Sequence, residues 1–359
     1  MMQKQILLYT LFFFFALISC TNNKKKSIND TFSEKIILKE SATFIDGDDL
    51  AQIEGICCND QNIIVLDYHS GYSFTLFDVD SCKLVGRFGA IGQGPDELAL
   101  GTYGQIEKDN FYLFYDQTGF IGKYAISSLN KDINTTPRQM VRYQIIDAQL
   151  SQAIPINDSL FIGAGTYMSK FQFVLFDKYS NVLDYNVEIY NASEKTFNKY
   201  HKFLSNQGVL RKRPNQDQFV YSLNFSSNID FLELKENKIQ LIKSLRLHNP
   251  NYQPISDNNL NRVLPSDNNI IGYIDLCATE KYVYALHTDK KLFTNNIGND
   301  YNSKTVLVFD WKGYPVKKIE LNQNAFYICV NESAEKLYAA VIDSSSSEWV
   351  IVSYDIRDL

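Results

Sequence analysis

The sequence predicts an all-β fold: a six-bladed β-propeller closed by an N-terminal strand, with one short inserted helix. Three observations carry this expectation. Residues 51 to 359 divide into five four-strand repeats and a sixth that ends after its third strand, at Tyr354. A spare β-patterned stretch, Glu34 to Ile45 (EKIILKESATFI), precedes the first repeat and belongs to no unit. An aromatic followed by Asp recurs at the end of third strands, as Phe77-Asp78, Phe176-Asp177, Phe309-Asp310 and Tyr354-Asp355. A ring whose last blade takes strands from both ends of the chain leaves no sheet edge unpaired. Ile36 and Ile37 are therefore expected alongside Val350 to Tyr354.

The marker also sets the period. Asp78 to Asp177 is 99 residues, which is two blades of about 50, and Asp310 to Asp355 is 45. A β-sandwich would not need so many equal units. In each marker the aromatic can pack between neighbouring sheets while Asp starts the turn to the fourth strand.

The first residues read as an address label. Lys4 is followed by an apolar run from Ile6 to Ile18 that includes Phe12 to Phe15. That run is short for a bilayer span and fits the hydrophobic region of a secretory signal. Leu17-Ile18-Ser19-Cys20 resembles a bacterial lipobox. The resemblance implies that residues 1–19 are removed and that Cys20 carries lipid as the mature N-terminus. Thr21 to Ser27 is polar throughout, so residues 20–33 are expected to form a flexible tether and residues 34–359 the propeller. By analogy with lipoprotein sorting, Thr21 favours the outer membrane, and Lys24 to Lys26 in place of acidic residues favour its periplasmic face. The membrane is then a partner through the anchor.

Along the body, short runs rich in branched and aromatic residues alternate with Asn, Asp, Gly and Ser. Blade one reads Ala51–Cys57, Ile63–Tyr68, Ser73–Val79 and Lys83–Gly89. Blade two reads Tyr103–Glu107, Phe111–Tyr115, Ile121–Ile126 and Gln139–Ile145. Blade three reads Ala148–Ile154, Ser159–Ala164, Lys170–Phe176 and Val182–Ile189. Blade four reads Gly208–Lys212, Gln218–Asn224, Ile229–Leu234 and Ile239–Leu247. Blade five reads Ile270–Leu276, Tyr282–His287, Lys304–Phe309 and Tyr314–Leu321, and blade six Ala325–Val330, Lys336–Ile342 and Trp349–Tyr354. Two insertions interrupt the rhythm. Ser193 to Asn206 reads as a helix capped by Ser193, with Phe197, Tyr200 and Leu204 on one face. Asn249 to Asn269 reads as a long connection.

Composition agrees with a sheet-rich body: Tyr (23) and Phe (24) dominate while Trp is 2 and Met 4. Without residues 1–19, which hold Lys4 and no acid, 34 basic side chains face 41 acidic ones, a net charge of −7. A mildly acidic body argues against nucleic acid as a partner. The basic run Arg211-Lys212-Arg213 reads as a solvated strand end. Beyond Cys20, five cysteines remain, Cys57, Cys58, Cys82, Cys277 and Cys329, an odd number with no C-x-x-C element. Cys57, Cys277 and Cys329 fall in or at the end of first strands, where a thiol behaves as a small hydrophobe.

The segment Gly86-Arg87-Phe88-Gly89-Ala90-Ile91-Gly92-Gln93-Gly94-Pro95-Asp96-Glu97-Leu98 resembles the G-x-G-x-G-P-[GD]-E loop of TolB-like six-bladed propeller lipoproteins of the Bacteroides group. Asp96 stands where Gly is more usual. The resemblance implies the fold, lipidation and an envelope location; the family has no established general activity to carry over. Gly89, Gly92 and Gly94 permit unusual backbone angles, and their N–H groups can form a nest for an anion. No Lys-Ser/Thr follows, which excludes a P-loop, and a strand follows where a dinucleotide fingerprint needs a helix.

No sialidase Asp box, Trp-Asp marker or G-x-S-x-G turn is present. No metal and no cofactor is expected. His69 and His287 end second strands and can share a face, without the spacing of a third ligand. Tyr68 and Tyr115 occupy equivalent strand ends in blades one and two, where aromatics can stack on a ligand. The candidate binding face is thus Tyr68, His69, Arg87, Gly92, Gly94, Tyr115 and His287. The expected function is non-enzymatic binding or scaffolding of a peptide, glycan or partner protein. The alternative is a hydrolase or lyase acting on polysaccharide or peptidoglycan fragments with carboxylates such as Asp67, Asp116 and Asp289, which would need two of them about 5–10 Å apart.

Overall fold

The computed structural model describes residues 27–94, 97–98, 103–115, 119–257, 260–292 and 301–357. Cys20, Pro95, Asp96 and Asp116 lie outside the described residues. Two strands precede the blades, Lys35–Leu38 (β1) and Ala42–Ile45 (β2). Blade one is Gly55–Cys58 (β3), Asn62–Leu66 (β4), Tyr72–Asp78 (β5) and Leu84–Ala90 (β6). Blade two is Tyr103–Glu107 (β7), Asn110–Tyr115 (β8), Phe120–Ala125 (β9) and Arg138–Arg142 (β10). Blade three is Ala148–Pro155 (β11), Leu160–Tyr167 (β12), Phe171–Asp177 (β13) and Val182–Glu188 (β14). Blade four is Gly208–Lys212 (β15), Gln218–Leu223 (β16), Ile229–Lys235 (β17) and Lys238–Leu245 (β18).

A separate hairpin, Tyr252–Asp257 (β19) and Leu260–Pro265 (β20), comes before blade five. Blade five is Ile270–Ala278 (β21), Tyr282–Lys291 (β22), Ser303–Asp310 (β23) and the first part of Pro315–Asn331 (β24). Blade six is the rest of β24, then Lys336–Ile342 (β25), Trp349–Asp355 (β26) and β2. One long strand therefore serves as the outer strand of one blade and the inner strand of the next.

Closure uses both chain ends, but not with the residues expected. β2 pairs antiparallel with β26, Ala42 opposite Ser353 and Ile45 opposite Ile351. Ile36 and Ile37 instead lie on β1, which adds in parallel to the outer edge of blade five, opposite Ile319 and Glu320. The closing strand must feed directly into blade one, so the half of the stretch nearer blade one takes that place. Burial agrees: Ile45 is 3% exposed and Ile37 is 69% exposed.

Residues 27–33, inside the stretch expected to be tether, are packed against the ring. A single 3-10 turn, Ile28–Thr31, is capped by the Ser27 side chain. Ile28 is fully buried among Val220, Phe231, Val283 and Phe309, between blades four and five. Phe32 meets Phe309 edge-on at 5.2 Å. Asp289 receives hydrogen bonds from Ser27 Oγ and, at 2.7 Å, from Asn29 Nδ2. Residues 27–38 thus form a strap over the rim of blade five.

The aromatic–Asp marker does what its chemistry suggests. Phe77, Phe176, Phe309 and Tyr354 are buried between sheets. The following carboxylates fasten the turns: Asp177 accepts from Tyr179 N and Asn181 N, and Asp310 from Lys312 N and Tyr314 N.

The described residues hold two short helices where one was expected: Ile126–Leu129 follows β9, and the inserted helix Lys199–Ser205 is shorter than the expected Ser193 to Asn206. Asn198 caps it in place of Ser193, because its Oδ1 accepts from both Tyr200 N and His201 N at 3.0 Å. The expected connection Asn249 to Asn269 contains the β19–β20 hairpin. Helix and hairpin hold each other through His201 Nε2 to Ile255 O (3.1 Å) and Asn198 Nδ2 to Asn261 Oδ1 (2.8 Å).

Candidate functional site

The glycine loop after blade one already holds its anion. The Glu97 carboxylate folds back into the nest, where Gly94 N donates to its Oε2 at 2.7 Å. A Cβ on Gly92 would lie 1.8 Å from Glu97 Oε2, so a larger residue there would push the exposed carboxylate aside. Gly92 N to Leu98 O and Leu98 N to Ala90 O then pin the loop, with Leu98 buried in the core. The motif is a self-filled turn, and Gly92 and Gly94 offer no vacant nest to a ligand. Gly92→Ala is expected to swing the exposed Glu97 carboxylate out of the nest at a cost of less than about 1 kcal/mol, so the urea midpoint should fall only slightly. A loss of several kcal/mol would show that the carboxylate cannot move aside.

Each of the other expected binding residues that is described makes its own local contacts. Tyr68 is half-buried against the core of blades one and two, at a left-handed φ of 48°. His69 Nδ1 lies 2.6 Å from Ser70 Oγ in the following turn. Arg87 donates from Nη2 to Asp49 O at 3.0 Å, fastening the turn between β2 and blade one. Tyr115 ends β8, and its side chain lies outside the described residues. His287 is fully buried, with Nε2 2.9 Å from Ser227 Oγ of blade four and Tyr273 against its ring. Strand alternation turns it into the seam between blades and away from the face shared with His69. Among the described residues no His, Cys, Asp and Glu side chains group as a metal site.

The carboxylates considered for catalysis are equally committed. Asp67 is buried and accepts from Thr75 Oγ1 at 2.9 Å and Ala51 N at 3.3 Å. Asp289 clamps the strap.

The chemistry collects along the axis, where the inner strands β3, β7, β11, β15, β21 and β24 meet. The basic run expected at a solvated strand end is directed inward, since β15 is the inner strand of blade four. Arg211 Nη2 pairs with Asp275 Oδ1 of blade five at 3.3 Å, and their side chains are 12% and 8% exposed. Asp275 also accepts from Leu276 N and Ile328 N. They line a small cavity of about 80 Å³ with Glu54 and Tyr327. Lys212 Nζ reaches Glu107 Oε1 at 2.8 Å, from blade four to blade two past blade three. Arg213 leaves the axis, stacking over Trp311 and donating to Glu280 O.

Below the Lys212–Glu107 bridge the channel opens into a mouth of about 400 Å³, on the face formed by the turns between first and second strands. Its carboxylates are Asp60, Glu107, Asp109, Glu280 and Glu332, and its lining cation is Lys108. The carboxylates also tie blade to blade. Glu332 of blade six accepts from Thr279 Oγ1, Glu280 N and Lys281 N of blade five. Asp60 of blade one accepts from Ser333 Oγ, and Asn215 of blade four donates to Glu280. These residues sit at turn positions where sequence reading expects punctuation. The available signal was an acid in or beside this turn in several blades.

Burial shifts two groups in opposite senses. Asp275 is pushed up from 3.8 to about 6 by burial, against the pull of Arg211. His287 is pushed down from 6.5 to about 4 by burial, against Asp289. Between pH 4 and 6 the folded protein holds a proton on Asp275 that the unfolded chain releases, so this contribution is lost as pH rises. Over the same range the unfolded chain protonates the His287 imidazole while the folded protein leaves it neutral, so that contribution is lost as pH falls. The two slopes offset one another. His287→Asn is expected to leave the Asp275 slope alone, so lowering the pH from 7 to 4 should stabilise the variant relative to wild type by about 3 kcal/mol. Parallel urea titrations read this, and matching pH profiles would refute it.

A family model described as TolB-like 6-blade propeller-like matches residues 55–333, from the inner strand of blade one into blade six. The chain belongs to this family. Among solved structures, a duf4221-family member from Bacteroides vulgatus matches this TolB-like propeller at TM-score 0.50 and 9% identity, covering 85% of this chain and 92% of that one. A Bacteroides fragilis protein described as exported gives TM-score 0.48 and 12% identity, covering 89% of this chain and 98% of that one. The likeness to the first is one of fold alone. No curated protein matches this TolB-like chain by sequence.

Proposed function

We propose that this TolB-like propeller is a non-enzymatic binding protein whose acidic axial mouth takes a cationic group from a peptide or partner protein. The observation that carries this reading is the mouth of about 400 Å³, lined by five carboxylates and one lysine. Like-signed charges around a concave, partly desolvated opening focus the field and raise the local concentration of the opposite charge. The Lys212–Glu107 bridge makes the opening a cup, and a cup suits capture of a side chain or chain end.

The same proposal places the protein in the envelope, exported and anchored by lipid on Cys20 to the periplasmic side of the outer membrane. The lipobox resemblance of Leu17-Ile18-Ser19-Cys20 and the family support it. Metabolic labelling with a radioactive fatty acid should mark the wild type and miss Cys20→Ser. Equal labelling would remove the anchor from the reading.

For the mouth, the probe is an oligolysine peptide titrated against the purified mature chain. Asp60→Asn with Glu280→Gln is expected to weaken binding roughly tenfold and flatten its dependence on salt, with the thermal midpoint checked to confirm folding. Unaltered affinity in a folded double variant would reject the mouth as the site.

A further inference from the structure

We infer that a cavity at the end of blade three away from the mouth is a second binding site, built for a zwitterion of amino-acid or dipeptide size. β11 and β12 turn into one another on the mouth side, through residues 156–159, so the start of β11 and the end of β12 lie at the opposite end of the blade. Between these ends and the first residue of the inserted helix is a cavity of about 390 Å³ with Asp147, Gln149, Thr166, Met168, Ser169 and Lys199 in its wall. Its size is in the range of small-ligand sites. The inference does not rest on the mouth binding a cation.

The backbone departs from regular sheet at this end of the blade. The register of β12 shifts on both sides, between Leu150 and Gln152 against β11 and between Ala164 and Tyr167 against β13. Such bulges re-aim side chains. Tyr167 to Lys170 is a tight turn closed by Lys170 N to Tyr167 O at 3.0 Å, and both central residues are left-handed, Met168 at φ 52° and Ser169 at φ 54°. Asn-Gly takes that conformation at the least cost, so turn stability does not account for Met168 and Ser169. Asp147 is left-handed as well, at φ 60°, and Met168 N donates to Asp147 O at 2.9 Å, tying the two turns together. Backbone strain of this kind concentrates where a ligand is held.

The wall also carries polar groups that the chain leaves unanswered. Among the described residues neither Asp147 nor Lys199 forms an ion pair, with the other or with any third side chain; the Lys199 ammonium lies 5.1 Å over the ring of Tyr200. Gln149 Oε1 is buried and accepts no hydrogen bond, an arrangement that is destabilising unless a bound group completes it. The groups divide by chemistry. The Asp147 carboxylate and Gln149 Oε1 are acceptors and suit an ammonium, whereas the Lys199 ammonium and Ser169 hydroxyl are donors and suit a carboxylate. A ligand of one charge would satisfy half the wall, and a neutral sugar would leave both charges without a counterpart. Met168 in the wall is exposed, as are Ile146 and Tyr200 beside Asp147 and Lys199, which offers apolar contact to a ligand side chain.

Isothermal titration calorimetry of the mature chain tests this with L-leucine and L-leucyl-L-leucine. At least one is expected to bind, and Asp147→Asn and Lys199→Met should each weaken it about five- to tenfold. Asparagine tolerates a left-handed backbone and Lys199 is exposed, so both variants should keep the wild-type thermal midpoint. The N-acetylated probe, which lacks the ammonium, should bind wild type as weakly as the free probe binds Asp147→Asn, with no further loss in that variant. The C-amidated probe should stand in the same relation to Lys199→Met. Loss of both ligand ends in this matched pattern is not expected of a merely structural role. Asp60→Asn with Glu280→Gln should leave the titration unchanged, which separates failure of this site from failure of the mouth. No binding of either probe, equal binding of glucose or of the capped probes, or wild-type affinity in both folded variants would overturn the proposal.

Discussion

Arg211→Met is expected to lower the stability of the ring by about 3–5 kcal/mol at pH 8, the cost of leaving a buried carboxylate without its cation. Arg211 and Asp275 belong to adjacent inner strands and are almost shielded from water, so solvent cannot replace the guanidinium. Removing the nearby positive charge also raises Asp275 beyond its present value of about 6, since Arg211 now pulls it down. The deficit should therefore shrink on acidification, as the stranded carboxylate takes up a proton. Urea midpoints at pH 8 and pH 5 measure both effects. Adding Asp275→Asn should recover much of the loss at pH 8, because the amide oxygen can still accept from a backbone N–H while the charge is gone. A deficit equal at the two pH values would mean that Arg211 acts through packing alone.

A larger effect is expected from removing the closing strand. A chain begun at Asp46 lacks β1 and β2, leaves β26 with a row of unpaired backbone groups, and uncovers the apolar side of blade six. It should not yield a folded monomer. A chain begun at Lys39 keeps β2 and loses only the strap and β1, so it should fold with a deficit of about 3 kcal/mol from the uncovered Ile28 site and its surroundings. Size-exclusion chromatography and thermal melts separate the two cases. A monomer from Asp46 with a native midpoint would show that the ring closes without β2.

The blades were legible because each strand is a short run of branched and aromatic residues between turn-formers, and because Asp after an aromatic is a turn-fastening device. Pairing was less legible. KIIL and ATFI are both β-patterned, and nothing local distinguishes a strand that closes a sheet from one that merely adds to an edge. The helix start moved from Ser193 to Asn198 because both residue types cap, and the hydrogen bonds fall at Asn198. The β19–β20 hairpin was hidden by its Asn and Pro content.

The site was hardest to read. Arg211-Lys212-Arg213 looks like surface by composition, yet its first two members find Asp275 and Glu107 on other inner strands. Those partners come from distant parts of the sequence, so only the ring brings them together. Glu97 lay within the glycine motif itself, and its charge was the available hint that the nest supplies its own anion.

The strap also sets how the molecule bears load. Force applied at the N-terminal end meets the Asp289 clamp first, then the plug formed by Ile28 and Phe32, then the parallel ladder of β1. Only after these three fastenings give way does tension reach β2 and the closure of the ring. With lipid on Cys20, six residues separate it from Ser27, a contour length of at most about 25 Å. The strap would then act as a sacrificial strain relief, yielding under membrane shear before the ring itself is pulled open.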